Sequence, residues 1–418
     1  MADMRKPLEG VRVLDLSRVL AGPFCAQLLA DLGADVVKVE RPPLGDDTRQ
    51  WGPPFFPDDG PSAYYVSCNR GKRSLAVDLA CREGREVLDE LIRAADVLIE
   101  NFLPGSLEKL GLSVERLSAL NPRLVRASIS GYGRTGPLSE MPGYDLVVQA
   151  TAGIMSITGE PDGTPMKIGV AITDVLTGLY AAVSVLAGLL GDRDERRGSR
   201  GEEGLAATRQ GSAAAFDLAL ADCTLAAMVN VVEGALVTGQ RPRRYGNAHP
   251  QIVPYEAFAT ADGYLVLAIG NDAQWRRFCE AADHADWAAD PRFATNPARV
   301  EHRDKLIPLM NHLLAERTTG NWQELLTQAE IPHAPVMALD EILATPQVAA
   351  RRMVQKLTAA DGRTYRVIAS PIHVGGEPFC SPRPPPEIGE HTYEVLHEWL
   401  GYEAKRIDEL HKSGVVSQ

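Results

Sequence analysis

Two short apolar runs near the N-terminus, Val11 to Leu16 (VRVLDL) and Ala34 to Glu40 (ADVVKVE), constrain the fold more than any other feature. Each has the length and composition of a buried strand. The segment between them carries Pro23, which suits a first helical turn, and Gly33, which suits a helix end. Strand, helix and strand with so short a crossover make a parallel βαβ unit, the opening of a doubly wound sheet. Glu40 closes the second strand as an acid does in nicotinamide-binding sheets. The glycine turn of those sheets is missing, however, since Leu16 to Gly22 holds a single Gly.

The alternation continues. Leu75 to Asp78, Asp96 to Glu100 and Leu124 to Ile129 read as further strands, and Arg82 to Ala95 as an amphipathic helix. Residues 191–212 are charged, Gly-rich and aperiodic, which predicts a flexible insertion. Tyr255 to Gly270 predicts a hairpin turned at Ala261-Asp262-Gly263, and helices at 272–283 and 303–317 complete a smaller α+β domain at 240–325. Residues 226–239 and 326–334 are expected to be linkers.

Asp174 stands out chemically. It lies in Gly169-Val-Ala-Ile-Thr-Asp174-Val-Leu-Thr-Gly178, with uncharged residues on both sides. A carboxylate in apolar surroundings must be solvated by a cleft, hydrogen-bonded or used, because burying an unpaired charge is costly. Two readings stand: a cap for a helix starting near Val175, or a nucleophile or base in a confined site. Other candidates sit at strand ends. Arg41 follows Glu40 where ligands of open α/β sheets bind, and a surface ion pair is its alternative. Arg70, Lys72 and Arg73 form a cationic cluster that suits either phosphates or plain solvation.

A net charge of −12 argues against nucleic-acid binding, and the longest uninterrupted apolar run, Gly178 to Leu190, is short for a membrane span. Six scattered cysteines with no CxxC pair, and nine histidines with no HxxxH, give no metal site. The start, MADMRKPLEG, has no apolar signal segment. A reduced, cytoplasmic enzyme with neither metal nor membrane partner is expected.

Several blocks in order carry a specific resemblance. They include PLEGVRVLDLSRVLAGP (7–23), LGADVVKVERP (32–42), NRGKRSLAVDL (69–79), ENFLPGSLEKLGL (100–112), SGYGRTGP (130–137), MKIGVAITDVLTGLYAA (166–182) and RYGNAHPQIVPYEAF (244–258). Over nearly its whole length the chain resembles the class III CoA-transferases, a family that also contains 2-methylacyl-CoA racemases. The resemblance implies an interlocked, ring-like homodimer. Each subunit would have a Rossmann-like large domain built from residues 1–225 and 335–418. It implies Asp174 as nucleophile, with coenzyme A contacts at Arg41, Lys72, Arg73, Asn101, Phe102 and Lys109 and Ala21 near the thioester. Coenzyme A thioesters are then substrates, with no permanent cofactor. In look the chain resembles transferases that pair succinyl-CoA with dicarboxylates such as glutarate, malate, citramalate or itaconate. A second substrate carboxylate needs a cation, for which Arg18, Arg49, Arg244 and His249 are candidates. Tyr144 stands where racemases of the family carry His, which favours transfer over racemisation. The remaining alternative is a CoA-binding subunit without activity.

Overall fold

The computed structural model describes residues 6–57, 60–196 and 214–417. Two compact units divide the chain. One comprises residues 1–154, 168–233 and 346–418, the other 155–167 and 234–345.

The first unit is built on strands β1 (Arg12–Asp15), β2 (Asp35–Glu40), β3 (Lys72–Val77), β4 (Val97–Glu100), β5 (Val125–Ser130) and β6 (Ala215–Ala219). Their order in the sheet is β3-β2-β1-β4-β5-β6, all parallel, and a short strand at Val416–Ser417 joins β3 antiparallel. The order reverses between β1 and β4. Ligands of open parallel sheets sit outside the carboxyl ends of strands at such a reversal. Its helices before β6 are α1 (Ala21–Asp31), α2 (Ala63–Asn69), α3 (Arg82–Ala94), α4 (Ser106–Lys109), α5 (Val114–Leu120), α6 (Asp145–Thr151) and α8 (Ile172–Arg196), while α7 (Ile154–Ile157) falls almost wholly in the second unit's residues.

Strand alternation places the core on both faces. Val13, Val36, Ile99 and Ala127 pack with Cys25 and Leu29 of α1 and Ala181 and Val185 of α8. On the other face Leu14, Val37, Leu75 and Leu98 pack with Leu88 and Leu91 of α3 and the C-terminal Leu396 and Trp399. Each fully buried Leu or Val contributes about 1.5–3 kcal/mol. Helices α1 and α8 touch at Gly178, where a Cβ would lie 2.7 Å from the Ala21 carbonyl oxygen and 3.0 Å from the Phe24 ring. Only glycine permits that approach.

The second unit holds an antiparallel sheet of β7 (Tyr255–Ala259), β8 (Tyr264–Ala268) and β9 (His333–Pro335) over a core containing Trp275, Phe278, Met310 and Trp322. The hairpin falls where the turn at Ala261 to Gly263 predicts it.

Other boundaries differ from the sequence reading. Residues 226–239, expected to be a linker, are mostly helical, with a bend of 80° between Leu220–Ala227 and Val229–Thr238. Residues 326–334 lie inside the second unit, because Leu326 and Ile331 are core residues and β9 pairs with β8. Helix α8 runs on to Arg196, so the expected insertion at 191–212 starts inside a helix and its remainder from 197 lies outside the described residues. The stretch Ile172–Gly191 of α8 is also long and apolar enough, by length and composition, to cross a bilayer. Counting only the uninterrupted run missed this, since Asp174 and Thr177 are too few to lower its mean hydropathy. Its inner side, including Ala181 and Val185, is core.

Candidate active site

Two adjoining crevices open along the carboxyl edge of the first unit's sheet. The larger, about 400 Å³, lies over the ends of β1, β2 and β3 and is lined by Arg41, Leu44, Val77, Leu79, Ala80 and Leu110 among others. The smaller, about 190 Å³, lies over β1, β4 and β5 and is lined by Val19, Ala21, Asn101, Gly131, Gly143 and Asp174 among others. Arg18, Asp47 and Phe102 belong to both walls. The backbones of Gly131 and Gly143 meet so closely that a Cβ on either would come within 2.6 Å of the other's Cα.

Asp174 is not a cap. Helix α8 begins two residues before it, and the N-terminus is capped by Asp145. The Asp145 carboxylate accepts from the Thr173 N–H at 2.9 Å and the Thr173 hydroxyl at 2.8 Å. Its other oxygen accepts from Gln149 at 2.7 Å. The cap thus frees Asp174 for another role and sets a second negative charge beside it. Among the described residues no hydrogen bond or ion pair reaches the Asp174 carboxylate. Burial, and then the charge of Asp145, push its pKa up to about 7. The Tyr64 phenol stands close enough to feel Asp174, which adds to the effect of burial in raising its own pKa.

The start of α1 lines the same crevice at Ala21. No side chain caps this helix, and Pro23 has no N–H to offer. The first N–H groups, at Ala21 and Gly22, have no partner among the described residues. They form the positive end of the helix at the crevice that Asp174 lines. The turn into α1 is held by Asn101. Its side-chain oxygen accepts from the Arg18 N–H at 2.8 Å, and its amide nitrogen donates to the Arg18 carbonyl at 2.7 Å. Asn101 and Phe102 therefore sit at the site, Asn101 as a clamp on the β1–α1 turn.

Several expected contacts are corrected. Lys72 is wholly buried, donating to Asp15 at 2.9 Å and Asn69 at 2.8 Å. Burial opposes ionisation of Asp15, but Lys72 and Lys38 hold its carboxyl below the usual range. Arg73 is also buried and engages Asp35, Glu394 and Glu398. The cluster suits either phosphates or solvation in sequence, but β3 lies inside the sheet, and alternation turns Lys72 and Ser74 onto the face that carries Asp15, Lys38 and Glu40. Arg49 is committed to Glu40 at 2.8 and 2.7 Å, to the Tyr65 hydroxyl at 2.6 Å and to the Pro386 carbonyl at 3.1 Å. None of Lys72, Arg73 and Arg49 is among the lining residues of either crevice.

The others divide clearly. Arg41 is exposed on the larger crevice, and Lys109 is exposed at the end of α4, beside the lining residue Leu110. Arg18 is half-exposed in an ion pair with Asp47 at 3.1 Å. Tyr144 is exposed at the rim of the smaller crevice, which no histidine lines. Arg244 and His249 belong to the second unit. There Arg244 donates to the carbonyls of Glu160, at 3.0 Å, and Gly163, at 2.5 Å, and His249 packs against Tyr255. Among the described residues no group of His, Cys, Asp and Glu is arranged to hold a metal.

Sequence reasoning missed Leu44, Val77, Leu79 and Leu110, apolar residues that carry no chemical signal of a site. It also missed Val19, Lys38, Asp46 and the capping role of Asp145.

The model of CoA-transferase family III matches residues 8–392. The chain is 44% identical over 405 residues to the succinate–glutarate CoA-transferase of Agrobacterium fabrum, covering 95% of this chain and 97% of that protein. It is 38% identical to the succinyl-CoA:glutarate CoA-transferase of Homo sapiens, covering 99% and 90%. The crystal structure of a CAIB/BAIF family protein from Brucella suis superposes with a TM-score of 0.79 at 39% identity, covering 94% of this chain and 99% of that one. A crevice lined by an unpaired, half-buried carboxylate and by an uncapped helix start thus sits in a chain that belongs to CoA-transferase family III.

Proposed function

We propose that this protein transfers coenzyme A from succinyl-CoA to a short dicarboxylic acid, with Asp174 as the nucleophile. One observation carries the reading: the Asp174 carboxylate is unpaired in a crevice that continues, past Arg18, Asp47 and Phe102, into a second crevice of nucleotide size. The nucleotide end of the carrier lies in the larger crevice, with Arg41 and Lys109 at its phosphates and apolar Leu79 and Leu110 against the base. The pantetheine arm passes Phe102 and brings the thioester to Asp174.

The carboxylate oxygen attacks the thioester carbonyl, the C–S bond breaks, and a mixed anhydride forms with release of CoA thiolate. The thiolate attacks the aspartyl carbonyl, giving an aspartyl-CoA thioester and free succinate. The acceptor carboxylate then attacks that thioester, and the returning thiolate takes the acceptor's acyl group and regenerates Asp174. Each tetrahedral oxyanion falls to the Ala21 and Gly22 N–H groups, which are already oriented. The relatives named for glutarate support a dicarboxylate acceptor. Arg18 is the one cation among the described lining residues of the smaller crevice, and its exposed pair with Asp47 is weak enough to exchange for the distal carboxylate.

The test is a mixture of pure protein, succinyl-CoA and a panel of free acids, with new thioesters identified by mass. The panel holds glutarate, malate, citramalate, itaconate, mesaconate, formate and oxalate. A new thioester formed without ATP is expected with at least one dicarboxylate, and none with any acid would remove the reading. In the same assay Arg18→Gln should raise KM for the dicarboxylate about tenfold while sparing KM for succinyl-CoA. Equal changes in both would dismiss Arg18 as the acceptor's partner.

The interlocked homodimer implied by the resemblance is supported by apolar residues left exposed on α8, among them Leu179, Val183 and Leu190, and on the following helices, including Val229 and Leu236. Sedimentation should give twice the chain mass of 45.3 kDa. A monomer at micromolar concentration would count against the arrangement.

A further inference from the structure

Val19 is the strained residue of this site. Its φ is 70°, in the left-handed region that a β-branched residue strongly disfavours. It stands two residues before Ala21 and lines the crevice of Asp174. Such a conformation persists only where the surroundings over-determine it. Here both backbone groups of Val19 are held. Its N–H donates to the two Asp46 oxygens at 3.4 and 3.3 Å. Its carbonyl accepts from the buried Cys68 thiol at 3.6 Å.

Asp46 is itself fixed. Lys38 reaches it at 2.8 Å, with both side chains wholly buried, and Lys38 also donates to the Ser17 carbonyl at 2.9 Å. The Thr48 N–H and hydroxyl donate to Asp46 at 2.9 and 2.7 Å. Burial alone would raise the Asp46 pKa, but Lys38 and these hydrogen bonds bring it down to about 2, so it stays charged at working pH. Lys38 thus grips the turn on both sides of Arg18: directly at Ser17, and through Asp46 at Val19.

We infer that Lys38 and Asp46 are positioning residues for acyl transfer: by holding Val19 left-handed they aim the first N–H groups of α1 at the thioester oxygen. This rests on the reading of Asp174 as nucleophile. Neither residue touches the reacting atoms. Their work is to keep the turn from relaxing to the extended backbone that valine prefers, which would swing the Ala21 and Gly22 donors out of line.

The test is a cycle of variants. Asp46→Asn weakens the grip on Val19 and should lower kcat for transfer about 10- to 100-fold, as a displacement of about 1 Å at a reacting group does. KM for succinyl-CoA should change less than kcat. Glycine takes φ near 70° without penalty. Adding Val19→Gly to Asp46→Asn should therefore restore most of the lost kcat. Unchanged kcat in Asp46→Asn, or no recovery in the double variant, would overturn the inference. A lost contact between Asp46 and the carrier would raise KM and would not respond to glycine. If Asp46→Asn fails to fold, amide hydrogen exchange in the wild-type protein still decides: the Val19 amide should be strongly protected, and exchange at open-loop rates would refute the lock. Wild-type protein that transfers CoA to no acid would instead remove the reading of Asp174, with the amide measurement left to test the lock alone.

Discussion

Asp174→Ala should abolish CoA transfer, lowering kcat about 10 000-fold or more, because the other carboxylate among the described lining residues of the smaller crevice, Asp47, is exposed and paired with Arg18. The variant should fold and bind CoA as the wild type does. Substantial residual transfer would show that the nucleophile lies elsewhere. In the wild type, kcat/KM for succinyl-CoA should rise about tenfold per pH unit up to about 7 and then level, since only the ionised carboxylate attacks. A flat profile between pH 5 and 8 would contradict that, in pH values set by the raised pKa of Asp174. The same group acts on stability with a definite sign. Its folded pKa of about 7 lies above the ordinary value of 3.8, so the fold loses stability as pH rises between the two. Asp174→Asn removes that loss. It should raise the unfolding free energy by about 1–4 kcal/mol at pH 8 and by little at pH 3.5, measured by urea titration. Equal effects at both pH values would show that burial of the charge is not the cause.

Lys72→Met should damage the fold rather than the affinity for the carrier. It leaves Asp15 ionised and wholly buried beneath β1–β3, which should cost about 3–5 kcal/mol. Replacing both partners, Asp15→Asn with Lys72→Met, should recover part of this, because the buried charge is then gone. KM for succinyl-CoA should be unchanged in whatever folded enzyme remains. A large rise in KM with little loss of stability would instead return Lys72 to the carrier site, which its burial argues against.

Much of the first unit was legible in the chain. The βαβ start follows from local signals alone: two apolar runs, Pro23 and Gly33. Asp174 was legible because a lone acid in an apolar stretch is a chemical anomaly. What the sequence could not show depends on partners far along the chain. The cations at 70–73 look like a phosphate site or a solvated run. Their acids are Asp15, Asp31 and Asp35 on one side of the sequence and Glu394 and Glu398 on the other. Arg49 is likewise spent on Glu40 and on a carbonyl at Pro386. The start of α8 lies three residues before the expected Val175 because its cap is Asp145, from α6, rather than an adjacent residue. The apolar lining of the larger crevice stayed hidden because Val77 and Leu79 differ from core residues only in lying where the sheet ends.

Gly178 stands one turn of α8 beyond Asp174, so the helix that carries the carboxylate also rests on the helix that faces it. The spacing between the helix that carries Asp174 and the start of α1 is therefore gauged by an atom that is missing. A single methyl at this position would press on the Ala21 carbonyl at 2.7 Å and move the two helices apart before it met solvent. Elsewhere on α8 the outward residues Leu179, Tyr180 and Val183 leave room for exchange within their class. At Gly178 there is no smaller residue to try and no larger one that fits, so drift in this chain can reshape the outer side of α8 while its spacing from α1 stays closed to change.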